Sequence, residues 1–460
     1  MKRAAILPLF IRFDAVSSRS VTAQATTKFR HTTVTAIVIA NMIGTGVFTS
    51  LGFQLLDIRS GFVLLLLWAV GGLVALCGAM TYAELGAALP RSGGEYNFLS
   101  RIFHPVAGFV SGWVSATIGF AAPTALAAMT FSAYATHSWA NEPDAWVEKA
   151  IAIGLVIILT FVHTSSRRNS GGLQSFFTVM KIAAIVVFCV LALMFVDLPQ
   201  PVAFLPTAGD TALITSAAFA VALIYVSYAY SGWNAATYLS SELEDPQRNL
   251  PRILFIGTAL VTLLYIALNY VFLRVAPMDA MSGQLEVGFI AAEFAFGERG
   301  GQFAGLALAT LLISTVSAMT LAGPRVLQVI GEDFAPLRRL ATTNADGLPY
   351  VAITTQSVLT IVFILTGSFE SILVFAGFTL ALNSFVTVAG IFWLRYSQPD
   401  LRRPYRTFAY PVTPIIYLLL MGWTLAFVLI SRPTEAWFGV ALIASGVVFY
   451  WLASRESARD

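Results

Sequence analysis

The chain reads as an all-α integral membrane protein with twelve transmembrane helices. Hydrophobic residues make up 57% of its 460 positions and charged residues only 11%, with a mean hydropathy of +0.78. A soluble domain of this size needs more charge to cover its surface. The apolar residues also fall into runs of about 20, the length a helix needs to cross a bilayer. Finally, the basic residues collect on alternate connections between those runs.

The runs lie at about 31–56, 60–83, 102–137, 150–166, 172–196, 211–240, 253–273, 300–324, 347–369, 371–394, 407–431 and 436–454. The third exceeds one perpendicular span, so a tilted helix or an overshoot into the adjoining loop is expected. Residues 1–30 read as a loosely ordered cytoplasmic tail. Their apolar patch, Ala4 to Ile11, is short and lacks a small-residue cleavage site at the usual distance, so a signal peptide is disfavoured. Residues 455–460 form a second short tail, and 332–346, with Arg338, Arg339, Asn344 and Asp346, reads as an internal hinge.

With the N-terminus inside, 21 of the 27 Lys and Arg residues fall on the cytoplasmic side and five on the other: Arg59, Lys149, Arg274, Arg299 and Arg432. Lys181 lies within a span. This bias places both termini in the cytoplasm of a cell whose inner membrane holds the chain. The basic patches therefore report topology, and nucleic acid is not an expected partner. Cys77 and Cys189 both fall inside spans, which excludes an extracellular disulfide framework. His31, His104, His137 and His163 show no metal-ligand spacing. No phosphate-binding loop of the G-x-x-x-x-G-K-[ST] type is present. Neither a metal nor a cofactor is expected, and an enzyme is not.

Two runs are interrupted in the middle. The first carries Asn41-Met42-Ile43-Gly44-Thr45-Gly46-Val47-Phe48, and the sixth Tyr228-Ala229-Tyr230-Ser231-Gly232-Trp233-Asn234. Non-helical backbone at bilayer depth survives only inside protein or along a wet cavity. Glycine permits the departure from helical dihedrals and lets a ligand approach the backbone. The half-helix after a break offers free N–H groups and a positive dipole end to a carboxylate; the half before it offers carbonyls to an ammonium. Small residues also permit tight helix packing, a competing explanation for either break alone. The second break falls five helices after the first, the spacing of a five-plus-five inverted repeat, and paired broken helices mark the binding site of a secondary transporter. The repeats run from about 31 to 196 and from about 211 to 395, with 396–454 as two peripheral helices. Asn234 is a polar group deep in a span and should face a cavity or a partner helix.

Further motifs make the chain resemble a known family. Ile43-Gly44-Thr45-Gly46-Val47-Phe48, Thr81-Tyr82-Ala83-Glu84-Leu85-Gly86 and Pro90-Arg91-Ser92-Gly93-Gly94-Glu95-Tyr96 resemble the amino acid–polyamine–organocation permeases. Glu242-Leu243-Glu244-Asp245-Pro246-Gln247-Arg248-Asn249-Leu250-Pro251 and Arg402-Arg403-Pro404-Tyr405-Arg406 are similar to the branch holding the L-type amino acid transporters. The resemblance covers about residues 31 to 430. It implies a ten-helix inverted-repeat core with helices one and six unwound, plus two outer helices. It further implies that a substrate carboxylate meets Thr45 and Gly46, beside Gly44. The ammonium would meet carbonyls of Met42 or Ile43 and of Tyr228 or Ser231, next to Gly232. Tyr228 matches an aromatic lid. Ser231 stands where several relatives have glycine or aspartate, which leaves that contact open.

Lys181 is the only charge between Arg168 and Asp197. With a helix starting near Gly172, nine residues place it about 14 Å along the axis, near the midplane. An intramembrane base is a functional candidate by default, and snorkelling is the competing reading. The resemblance implies a helix-five lysine that occupies the place of a sodium ion in sodium-coupled relatives, near Gly44 and the polar face of Ser314, Thr315 and Ser317. It either holds the fold as a fixed cation or cycles a proton. Glu84 and Glu95 flank the end of the second span, either solvated or in gate contacts with Arg91 or Arg101.

The expectation is thus a secondary active permease for L-amino acids working by alternating access with protons as coupling ion. Neutral substrates are favoured because no charge besides Lys181 is expected in the core. The alternatives are a sodium-independent exchanger, a polyamine or cationic amino acid permease, a channel and a non-transporting sensor. Lipid is the surrounding partner; the sequence leaves an accessory subunit undetermined.

Overall fold

A computed structural model describes residues 30–137, 144–165, 170–240, 243–344 and 347–457. The N-terminal tail expected at 1–30 therefore lies almost wholly outside the described residues. Among the latter no β-strand occurs, and the chain folds into nineteen α-helices. In order these are α1 (His31–Met42), α2 (Gly46–Gln54), α3 (Gly61–Ala88), α4 (Glu95–Ile102), α5 (Pro105–Val114), α6 (Ala121–His137) and α7 (Ala145–Ser165). Next come α8 (Ser170–Phe195), α9 (Asp210–Ile214), α10 (Ala217–Tyr230), α11 (Ala235–Tyr238), α12 (Pro246–Val275) and α13 (Met278–Met281). The rest are α14 (Val287–Ala322), α15 (Pro324–Asp333), α16 (Tyr350–Thr366), α17 (Phe369–Ser397), α18 (Val412–Ser431) and α19 (Pro433–Ser457).

Among the described residues, ten helical stretches are long and apolar enough to cross a membrane, with α10 and α16 as shorter apolar helices. The 14 residues of α10 fall short because the chain leaves helical geometry at Ser231, where the sequence marked a break. The long run 102–137 is helical from Pro105 to His137, with one interruption. A π-helical turn at Ser115–Gly119 divides α5 from α6. Such turns inside helices recur at functional sites.

Two stretches differ from expectation. α14 starts at Val287, well before the run at 300, and bends at Gly297 (φ +73°), so an additional arm precedes the span. The segment expected as a hinge forms a 3₁₀ helix at Ala335–Ala341. Its Phe334, Leu337 and Leu340 pack into an apolar cluster with Phe109 and Val326, and the Phe334 and Phe109 rings meet at 4.7 Å. Partial burial of those three side chains holds the segment against the cluster.

The core is built by α1 packed on α8 and α12, α12 on α3, α14 on α6 and α8, and α10 on α2, α3, α17 and α18. Large apolar side chains such as Phe161, Met194, Phe303, Leu419 and Trp437 point outward and are exposed. An apolar periphery around a core holding buried Asn41, Lys181 and Glu95 inverts the usual soluble arrangement.

Candidate functional site

The site grows from the first break. α1 ends at Met42, and Ile43, Gly44 and Thr45 are non-helical before α2 resumes at Gly46. An α-helix leaves its first four N–H groups without internal partners, so the start of α2 faces the break with donors. Thr49 Oγ1 and the Phe48 N–H both donate to the Thr45 carbonyl, which fixes that first turn. The Met42 carbonyl accepts from the Gly44 N–H at 2.7 Å and from the Tyr265 hydroxyl at 2.5 Å. The Ile43 carbonyl accepts from Lys181.

The second break lies against the first. Ser231 leaves the helix with ψ 154°, and Gly232 has φ +98°. A Cβ on Gly232 would stand 2.8 Å from the Asn41 carbonyl oxygen, so both the dihedral and the contact require glycine. Reciprocally, a Cβ on Gly46 would stand 2.5 Å from Ala229 Cα. Tyr265, fully buried on α12, bridges the two halves, since its hydroxyl also lies 3.1 Å from the Ala229 carbonyl. Sequence reasoning missed this residue. The available signal was a tyrosine inside an apolar span, which when buried needs a partner for its hydroxyl.

Lys181 is 1% exposed, on the face of α8 that packs on α1 and α14. Its Nζ donates to Thr315 Oγ1 at 2.8 Å and to the Ile43 carbonyl at 3.4 Å. No acidic side chain among the described residues forms an ion pair with it. Of the polar group expected on the eighth span, Thr315 reaches it. Ser314 is buried with no hydrogen-bond partner, and Ser317 turns to His163 Nε2 at 2.8 Å.

Beside the second break opens a cavity of about 90 Å³. Tyr228, Ser231, Gly232 and Asn234 line it, together with Asn41, Asn383, Tyr238, Glu95, and Ser115 and Gly119 of the π-helical turn. Met42, Ile43, Gly44, Thr45, Gly46, Lys181, Ser314 and Thr315 do not line it. Tyr228 connects the two, because its phenol faces the Thr45 side chain.

The two glutamates differ from both sequence readings. Glu84 and Glu95 are 0% and 1% exposed, so neither is solvated. Glu84 pairs with Arg395 at 2.6 Å and Arg403 at 3.5 Å, and accepts from the Thr407 N–H and hydroxyl. Arg91 pairs instead with Asp333 at 3.4 Å. Glu95 has no basic partner among the described residues; it accepts from Asn234 at 2.6 Å, Tyr82 at 3.1 Å and Tyr238. The expectation that no charge besides Lys181 enters the core is corrected accordingly. It failed because Glu95 sits only one residue past the glycine turn Gly93-Gly94, which folds α4 back into the bundle.

Fold and site together define a class: an integral membrane permease whose broken helices meet beside a polar cavity. The chain belongs to the amino acid permease family, whose model matches residues 29–455. It is 32% identical over 437 residues to the large neutral amino acids transporter small subunit 2 of Oryctolagus cuniculus, covering 90% of this chain and 78% of that one. Over 433 residues it is 30% identical to the Asc-type amino acid transporter 1 of Mus musculus, at 90% and 79% coverage. The b(0,+)-type amino acid transporter 1 of Mus musculus is 28% identical over 425 residues, at 90% and 85%. Amino acid transport across a membrane, not catalysis, is its class of activity.

Proposed function

We propose that the chain is a secondary active transporter of neutral L-amino acids that works by alternating access in the cytoplasmic membrane, with both termini inside. The reading includes twelve spans and a ten-helix core of two inverted repeats, about 31–196 and 211–395, flanked by α18 and α19. The observation that carries it is the meeting of the two breaks, with Gly46 against Ala229 and Gly232 against Asn41. Backbone donors of Thr45 and Gly46 receive the substrate carboxylate. The ammonium goes to the Ser231 carbonyl, because the Met42 carbonyl is engaged by Tyr265 and Gly44, the Ile43 carbonyl by Lys181 and the Tyr228 carbonyl by the Ser231 N–H. Tyr228 closes over the bound molecule, and Asn234 holds the wall of the side-chain cavity.

Lys181 supplies the coupling. In the first reading it exchanges a proton and drives uptake. In the second it stays charged, clamped by Thr315 and Ile43, and the protein exchanges one amino acid for another. The clamp of two uncharged acceptors keeps the second reading in view. The deciding experiment uses purified protein in liposomes with radiolabelled leucine. A pH gradient alone drives accumulation in the first case, and only preloaded amino acid does so in the second. Absence of uptake for all twenty amino acids under either condition overturns the transport reading.

A further inference from the structure

Glu95 is the group that the proposed transport cycle leaves unused, and the following inference rests on that reading. It opens α4, is 1% exposed and lines the cavity. Buried carboxylates ordinarily carry a basic partner, as Glu84 does with Arg395 and Arg403. Glu95 is held by uncharged donors from three elements: Tyr82 on α3, Asn234 at the break and Tyr238 on α11. Ser115 on the π-helical turn meets the Tyr238 hydroxyl at 3.1 Å, which orients it. A first-turn position also places the carboxylate at the positive end of the α4 dipole.

An ionised carboxylate offers about four acceptor positions. Three donors leave about one unfilled. Around it the cavity is otherwise uncharged, with apolar walls from Phe120, Met319, Leu380 and Met421. A polar side chain entering this space finds one strong acceptor, whereas an acidic one meets a like charge in a poorly hydrated place. Sites that hydrogen-bond a substrate hydroxyl or amide discriminate against analogues lacking it, because the protein group is then left unpaired.

We propose that Glu95 determines the side-chain specificity of this site. It selects neutral L-amino acids whose side chain ends in an O–H or N–H donor over apolar analogues of similar shape, and excludes acidic amino acids.

The test uses the full chain in liposomes and competition by near-isosteric pairs, threonine against valine and glutamine against methionine. The wild-type protein should favour the donor-bearing member of each pair. E95Q keeps shape but removes charge, and should cut that preference about tenfold, the equivalent of ~1.4 kcal/mol. E95D retains the carboxylate and should retain the preference. An unchanged threonine-to-valine ratio in E95Q overturns the proposal, as does glutamate competing as well as glutamine in the wild type. If E95Q does not fold, Y238F decides. It frees one carboxylate oxygen and should raise the preference severalfold; an unaltered ratio there overturns the proposal. Wild-type protein that transports none of the four test amino acids sinks the transport reading itself, a different outcome from either of these.

Discussion

The Tyr265 hydroxyl lies 2.5 Å from the Met42 carbonyl and so caps the end of the first half-helix from a span more than 200 residues away. The same oxygen lies 3.1 Å from the Ala229 carbonyl, at the corresponding end of the other broken helix. One hydroxyl thus serves two interrupted backbones. Y265F removes its single proton, so the Met42 carbonyl keeps only the Gly44 N–H and the Ala229 carbonyl loses the hydroxyl beside it in a buried place. A loss of about 1–3 kcal/mol is expected for a buried group left unsatisfied. It should be read as a lower unfolding midpoint of the detergent-solubilised protein, with uptake reduced as well. Wild-type thermal stability in Y265F would show that the bridge is incidental.

Glycine substitutions should follow an order set by geometry. A Cβ at Gly46 meets Ala229 Cα at 2.5 Å and one at Gly232 meets the Asn41 oxygen at 2.8 Å on a backbone with φ +98°. At Gly44 the nearest atom is Thr315 Cγ2 at 3.6 Å, an ordinary contact. G46A and G232A should each lower uptake tenfold or more, about 1.4 kcal/mol or beyond, and G44A should be much milder. Equal loss in all three would mean that the breaks do not depend on close backbone approach.

Lys181 gives a third expectation. K181M keeps the apolar stem but removes the cation, so the Ile43 carbonyl and Thr315 hydroxyl lose a donor. In the proton-coupled reading, uptake driven by a pH gradient should fall about tenfold, and its dependence on external pH should flatten. Unaltered transport with the wild-type pH response removes Lys181 from the coupling scheme.

Breaking the Glu84 pair should damage the fold more than the transport chemistry. E84Q leaves Arg395 and Arg403 without their carboxylate at a site where Glu84 is fully buried. Removing one partner of a buried pair costs about 3–5 kcal/mol. Low yield and early melting are expected, with any folded fraction keeping its substrate preference. E84Q with normal stability would place that pair in solvent.

Much of this architecture could be read from local patterns. Helix runs, the two breaks and the intramembrane Lys181 each announce themselves within a few neighbouring residues, through hydropathy, glycine placement or an isolated charge. Tyr265 and Glu95 do not, because their meaning comes from partners about 140 to 220 positions distant: Asn234 for one, Met42 for the other. The π-helical turn at Ser115–Gly119 and the bend at Gly297 were equally silent, since residues that unwind or overwind a helix there also suit a regular one. Glu84 misled for a simpler reason. A carboxylate near the end of a span looks solvated until Arg395 arrives from the far end of the chain.

With only a hydrogen on Gly46 facing Ala229, no side-chain cushion separates α2 from α10. The two backbones therefore touch directly at this point. If the protein alternates as proposed, these two half-helices should move together, and the methyl of an alanine at Gly46 should wedge them apart.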